Sequence, residues 1–201
     1  MVTNLSNELA DLVKNLEALN APVLKLLNPP ASEQILIDFF SEYFPGSPLV
    51  EDIRDIFLWH NGTIIESNIP VRKSYLFAEF LFNSIEKIQK IMDSVESTYK
   101  LKKNGFLPIF STGHGEYLAL NLKDYSNKPE TTHVYYLGTW DPECDLYTTI
   151  YDSFYQMFVS VNACFKQDVY FIDDKGLIDI NFTKYFEISK KMNPNSDYWR
   201  S

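Results

Sequence analysis

No run of about 18 uninterrupted apolar residues occurs in the 201-residue chain, so no bilayer-spanning helix is encoded. Cysteine is nearly absent. Cys144 and Cys164 stand in no Cys-x-x-Cys or metal-ligand spacing, and a chain of this size needs no disulfide, so buried thiols and no metal centre are expected. Glycine is scarce, at 7 residues, and nowhere builds a phosphate-cradling loop ending in Lys or a dinucleotide fingerprint. A Gly-x-Ser-x-Gly elbow and a His-Glu-x-x-His pair are missing as well. The usual routes to nucleotide, hydrolase and zinc chemistry are closed, and no cofactor is expected. Positive charge is the other shortage: 18 Lys and Arg stand against 27 Asp and Glu, for a formal charge of -9 and a pI of about 4.8. Such a field repels phosphate backbones and anionic membrane surfaces, which argues against nucleic acid or membrane as a direct partner.

What the chain has is apolar material, 45% hydrophobic and 15% aromatic, enough for one real core across residues 1–201. The acidity is uneven. Residues 1–70 hold 10 acids and 3 bases, and residues 131–180 hold 8 acids and 2 bases, whereas the remaining segments are slightly basic. Two acidic stretches can form one docking surface for a cationic partner, or be ordinary solvated helix faces and turns. The opening Met1-Val2-Thr3-Asn4-Leu5 has no base before Lys14, so a cytoplasmic protein is expected.

Leu5, Leu9, Leu12, Val13, Leu16 and Leu19 share one helical face, and residues 1–28 read as a helical extension interrupted by Pro22. Ser32 caps a second helix with Ile35, Leu36, Phe39, Phe40 and Tyr43 inward. A third starts at Ser47-Pro48 and ends at Asn61-Gly62. The character then changes. Residues 74–82 read as a strand, a helix capped by Asn83 or Ser84 follows, and Phe106–Phe110 and Tyr117–Leu122 form a hairpin around the turn at Ser111–Gly115. Val134–Thr139 and Leu146–Ile150 are two more strands, separated by the acidic loop Asp141-Pro142-Glu143-Cys144-Asp145. A helix capped by Asp152 or Ser153, a hairpin around Asp173–Gly176 and a helix over Phe182–Met192 complete the chain. Helices, then adjacent strands, then helices make a single α+β domain with a largely antiparallel sheet, packed by helices on one side.

Three histidines remain as chemical candidates, His60, His114 and His133, and none has a nucleophile, metal or orienting partner at a diagnostic spacing. The concentrated polar spot is Gly113-His114-Gly115-Glu116. Two glycines allow torsions closed to other residues, which serves either a plain hairpin turn or a binding edge where Glu116 acts as acceptor. Trp59, Tyr117, Trp140, Tyr198 and Trp199 are of types that more often pack a core or lid than stack on a ligand, though Trp and Tyr also anchor interfaces.

Three segments taken in order resemble a known family. They are the helix leading to Trp59-His60-Asn61-Gly62, the stretch Leu107-Pro108-Ile109-Phe110-Ser111-Thr112-Gly113-His114-Gly115-Glu116-Tyr117, and the closing Asn193-Pro194-Asn195-Ser196-Asp197-Tyr198-Trp199. Together they are similar to the SUKH superfamily, the group that includes the Smi/Knr fungal cell-wall regulators. The family pattern has Gly-Asp or Gly-Glu in the turn, matched by Gly115-Glu116, and an Asp near the end of the next strand, where this chain has Asn121. The resemblance implies an α+β fold with a mixed sheet, no catalysis, and a protein partner. For bacterial members it implies an immunity protein that neutralises a cognate polymorphic toxin, often a nuclease; for fungal ones, an interaction or adaptor role in cell-wall or regulatory signalling. On the immunity reading the partner is a basic toxin domain, met by Glu116, His114, Tyr117, Trp140, Asp141, Glu143 and Asp145. Trp59, Asn61, Gly62, Pro108, Gly113, Gly115, Pro194 and Trp199 are then framework residues. A third reading makes His114 and Glu116 a proton-transfer pair, which needs both at one cleft. Nothing in the sequence sets the oligomeric state.

Overall fold

The computed structural model describes residues 5–125, 133–138 and 147–200. The leucine spacing winds Leu5–Ala18 into helix α1, whose Leu5, Leu9, Leu12 and Leu16 join the common core. Burial of each leucine contributes about 1.5–3 kcal/mol. Asn20, at φ 50°, turns the chain before a 3-10 turn over Pro22–Lys25. In α2 (Glu33–Tyr43) the Ser32 hydroxyl accepts from the Ile35 N–H, as expected of the cap, and Leu36, Phe39 and Phe40 are buried. Ile35, expected inward, is 42% exposed: the i, i+3, i+4, i+7 set from Leu36 takes the buried sector and leaves its neighbour outside.

Helix α3 (Glu51–Trp59) begins three residues later than expected. Ser47 to Val50 stay outside it because Leu49 and Val50 pack on the core from non-helical backbone, while Glu51 and Asp52 put carboxylates in the first turn where the helix dipole favours them. The helix stops by turning extended at His60, and the left-handed residue is Gly62, at φ 78°.

Residues 74–82 form a hairpin rather than one strand. β1 (Tyr75–Phe77) and β2 (Phe80–Phe82) pair across Ala78-Glu79, with Ala78 at φ 46°. After Ser84, which caps α4 (Ile85–Tyr99), and the short α5 (Leu101–Asn104) come β3 (Phe106–Ser111) and β4 (Tyr117–Asn121). One helical turn, α6 (Leu122–Tyr125), takes Leu122 out of the strand. β5 (Val134–Leu137), β6 (Tyr147–Tyr151) and α7 (Phe154–Lys166) follow. A separate hairpin of β7 (Tyr170–Ile172) and β8 (Ile178–Ile180) then leads into α8 (Phe182–Met192).

The spatial order β1-β2-β3-β4-β5-β6 is the chain order, and each described pairing is antiparallel, so the parallel component of a mixed sheet is not found among the described strands. Helices cover both faces, not one. Phe110, paired with Leu118, meets Phe158 of α7, while the adjacent Tyr117 points the other way onto Tyr99 of α4. The fold is α+β with one core, and α1 belongs to that core: the Asn162 amide of α7 donates to the Glu8 backbone and carboxylate, both at 2.9 Å. No described helix is long and apolar enough to cross a membrane.

Candidate functional site

The β3–β4 turn is built to be rigid. Gly113 and Gly115 adopt φ 85° and 102°, conformations closed to most side chains. The Ser111 hydroxyl donates to the Asn83 side chain at 2.7 Å, the Thr112 N–H to the Glu116 carbonyl at 3.1 Å, and the Tyr99 hydroxyl to the Gly115 carbonyl at 3.0 Å. Within this frame the Thr112 hydroxyl donates to the Glu116 carboxylate and accepts from the His114 N–H. Glu116 is thereby folded over the turn and half-buried, with His114 exposed at the tip.

This turn forms one wall of a cleft of about 410 Å³, to which the β1–β2 turn adds Glu79 and β5 adds Tyr136. The facing wall comes from the last part of the chain, with Phe182 and Tyr185 of α8 and then Tyr198 and Trp199. The chain's end is held there by hydrogen bonds. The Tyr198 N–H and Ser196 hydroxyl donate to the Thr149 carbonyl, and the Trp199 indole N–H donates to the Ile150 carbonyl. Trp199, 2% exposed, has Tyr151, Tyr185, Phe186 and Tyr198 around its ring. Tyr136 and Tyr198 lie 5.5 Å apart, ring centre to ring centre, on the cleft wall.

No Lys or Arg occurs among the described lining residues. Arg72, close to Tyr75 on the β1 side, is held at 3.8 Å from Asp173 and 3.5 Å from Asp179. Burial first, then Glu79, pushes the Tyr75 phenol above its ordinary value; Arg72 opposes this, and Glu116 adds a smaller push upward. The cleft is thus aromatic and negatively charged. Chemically, carboxylates beside π faces complement a cationic group.

Two of the residues expected to bind, His114 and Glu116, meet in this cleft. Tyr117 does not join them: it is 7% exposed and packs on Tyr99 across the sheet. Trp140, Asp141, Glu143 and Asp145 lie outside the described residues, as does Cys144. The framework set divides into several local roles. Trp59 stacks on Phe82, and the Asn61 side chain accepts from the Ile85 N–H at 2.9 Å. A Cβ on Gly62 would overlap the Asn83–Ser84 backbone. Pro108 sits at a register shift in β3, where a missing N–H is tolerated, and Pro194 gives its carbonyl to Arg200. Asn121, in place of the family's Asp, accepts from the Lys123 N–H at 3.0 Å and so caps α6, a role that an amide oxygen fills as well as a carboxylate.

The other histidines stand elsewhere. His60 Nδ1 meets the Asn28 carbonyl at 2.6 Å, and His133 lines a separate depression with Asp152 and Asn195. No group of three metal-binding side chains occurs among the described residues. Cys164 is buried and its thiol is pushed up to about 12, mainly by burial.

Sequence reasoning missed Glu79, Tyr136, Phe182 and Tyr185. A turn of Ala78-Glu79, without glycine or asparagine, carries no hairpin signature, and the three aromatics are brought to the cleft by tertiary packing alone.

Comparison with curated proteins gives no match. Comparison with protein families matches residues 30–160 to the SMI1 / KNR4 family (SUKH-1), a span that includes the whole six-stranded sheet and the turn with His114 and Glu116. The wall formed by Phe182, Tyr185, Tyr198 and Trp199 lies beyond the matched span. With well over half its length matched, the chain belongs to the SMI1 / KNR4 family, within SUKH-1.

Proposed function

We propose that this chain is a non-enzymatic, cytoplasmic protein-binding module of the immunity type, which neutralises a cognate basic toxin domain, such as a nuclease, by covering its cationic cleft. One observation carries the reading: Glu79 and Glu116, from two separate hairpin turns, stand among Tyr136, Tyr198 and Trp199 with no basic side chain among the described lining residues. The net charge of -9 extends that field over the molecule and speeds encounter with a positive surface. His114 and Glu116 share the cleft, as proton transfer would need, but the carboxylate is already engaged by Thr112.

The decisive experiment pairs the chain with a basic toxin domain encoded beside it. Co-expression should restore growth, and association should slow steeply with added salt. Glu116→Lys should slow it roughly tenfold at low ionic strength. The same reversal at Asp141, Glu143 and Asp145 reports whether the loop adds to the field. Association indifferent to salt and to these reversals would reject the electrostatic mechanism.

A Smi/Knr-like adaptor role is the second reading. Phe182, 61% exposed in the cleft lining, favours it because exposed aromatics serve partners recognised by apolar contact. Salt-insensitive binding that Phe182→Ser abolishes is its signature.

A further inference from the structure

We infer that the cleft receives one arginine side chain of the partner, with its guanidinium between the Glu79 and Glu116 carboxylates and against the Tyr136–Tyr198 ring pair. The inference deepens the protein-binding reading and rests on it.

Some acids elsewhere on the described surface have basic partners, so it is the shared cleft, rather than the lack of a partner alone, that sets Glu79 and Glu116 apart. Glu33 pairs with Arg54 at 2.9 Å, Asp93 with Lys102 at 2.8 Å, and Asp11 with Lys14 and Lys166 at 3.0 Å each. Asp173 and Asp179 share Arg72. Glu79 and Glu116 form no ion pair among the described residues, although they lie in the same cleft and both act on the Tyr75 phenol. A cation entering the cleft is attracted by both carboxylates, and no basic side chain among the described lining residues competes with it. Anions are disfavoured by the same field, and a bound metal ion lacks a three-ligand group among the described residues.

The ring wall selects the kind of cation. A guanidinium is planar and weakly hydrated, stacks on aromatic faces, and presents N–H donors in a fixed fork that two acceptors can share. A lysine ammonium is compact and strongly hydrated, so it gains less from tyrosine rings and loses more on entering a half-enclosed cleft. Glu116 is presented by a turn pinned on three sides and Tyr198 by a backbone bond to Thr149, so part of the site is ordered before its occupant arrives. The facing wall lies outside the family match, which makes this pocket a place where recognition by this chain can differ from that by its relatives.

The test uses N-acetylarginine amide as the probe, with N-acetylcitrulline amide as its uncharged isostere, in a two-dimensional NMR titration of the full chain. Arginine amide should shift the backbone resonances of Gly113, Gly115 and Tyr198, and citrulline amide should leave them unmoved. Glu116→Gln keeps an oxygen for the Thr112 hydroxyl while removing the charge, and should weaken probe binding roughly tenfold; Glu79→Gln should act alike. Tyr136→Leu, with both carboxylates intact, should weaken it several-fold. Retained near-ultraviolet circular dichroism checks that each variant is folded. Equal shifts with both probes, shifts confined to other surfaces, or no binding would overturn the inference. Failure here is distinguishable from failure of the proposed function. Toxin binding that survives the Glu79→Gln/Glu116→Gln double variant rejects the arginine anchor and leaves the immunity role standing. Arginine binding without growth rescue keeps the cation pocket and rejects the role.

Discussion

At the scale of single residues, Gly62 is the described glycine whose added Cβ would meet the closest neighbours. Its φ of 78° disfavours any side chain, and an added Cβ would lie 2.7 Å from the Asn83 carbonyl carbon and closer still to the Ser84 nitrogen. Both neighbours are fixed. Asn83 donates to the Pro108 carbonyl and accepts from Ser111, and Ser84 caps α4. Gly62→Ala therefore combines left-handed strain with overpacking, and should lower unfolding free energy by about 3 kcal/mol or more in a denaturant titration. A loss below about 1 kcal/mol would show that the α3–α4 junction relaxes freely. Residue type alone made this position readable, because Asn-Gly after a helical pattern signals a positive torsion. It made Glu116 and His114 readable as well, through the paired glycines around them. Glu79 was not readable, since its significance comes from a fold-back at Ala78 that no turn residue marks.

At the scale of elements, the caps at Ser32, Ser84 and Ser153 and the β3–β4 and β7–β8 hairpins are legible in the sequence, while the β1–β2 pairing is not. Ser32, Ser84, Ser153 and Asn181 each accept from the N–H three residues on, and all precede apolar stripes of helical period. Ser84→Ala should cost about 1 kcal/mol in chemical denaturation, and Ser84→Asp should restore it. No change in the Ala variant would mean that the buried face of α4 alone sets its start. The start of α3 was misread because proline at a first helical position is a permissive signal rather than a compelling one, and packing of Leu49 and Val50 outweighed it. The C-terminal segment poses the opposite case: Asn193 is legible only as a helix terminator, yet its buried side chain joins three elements. It donates to Ser160 of α7 and the Ser189 carbonyl of α8 and accepts from Asp152 after β6. Asn193→Leu strands those partners and should cost on the order of 3 kcal/mol, with the Trp199 environment disturbed in near-ultraviolet circular dichroism. An unaltered spectrum would indicate that the aromatic packing around Trp199 holds the segment without the amide.

At the scale of the whole molecule, a layer of ionisable groups runs from the cleft wall, at half-buried Tyr185, into the core. The Tyr151 and Tyr185 hydroxyls meet at 2.7 Å, Tyr170 packs on Tyr185, and Cys164 is close by. Burial dominates in each case, raising Tyr185, raising Tyr151 and Tyr170 well above the ordinary phenol value, and raising the Cys164 thiol from 9.0 to about 12. These acids are neutral when protonated, so the folded state retains protons that the unfolded chain gives up once pH passes the ordinary values. Stability contributed this way is fully present below about pH 9, and is lost as pH rises through the window from 9.0 to about 12 for the thiol and from 10.0 upward for the phenols. Each group adds up to about 1.4 kcal/mol per pH unit to the slope between its unfolded and folded values. Thermal unfolding followed from about pH 8 to about pH 11 should show a falling midpoint above about pH 9. Cys164→Ala should make the decline shallower at its onset, and Tyr185→Phe should do so above about pH 10. Salt should change the decline little, because its origin is desolvation rather than surface charge, whereas binding of the basic partner should be strongly salt-sensitive. A midpoint independent of pH over this range would mean that water reaches the layer beneath Trp199 and that the cleft floor is open.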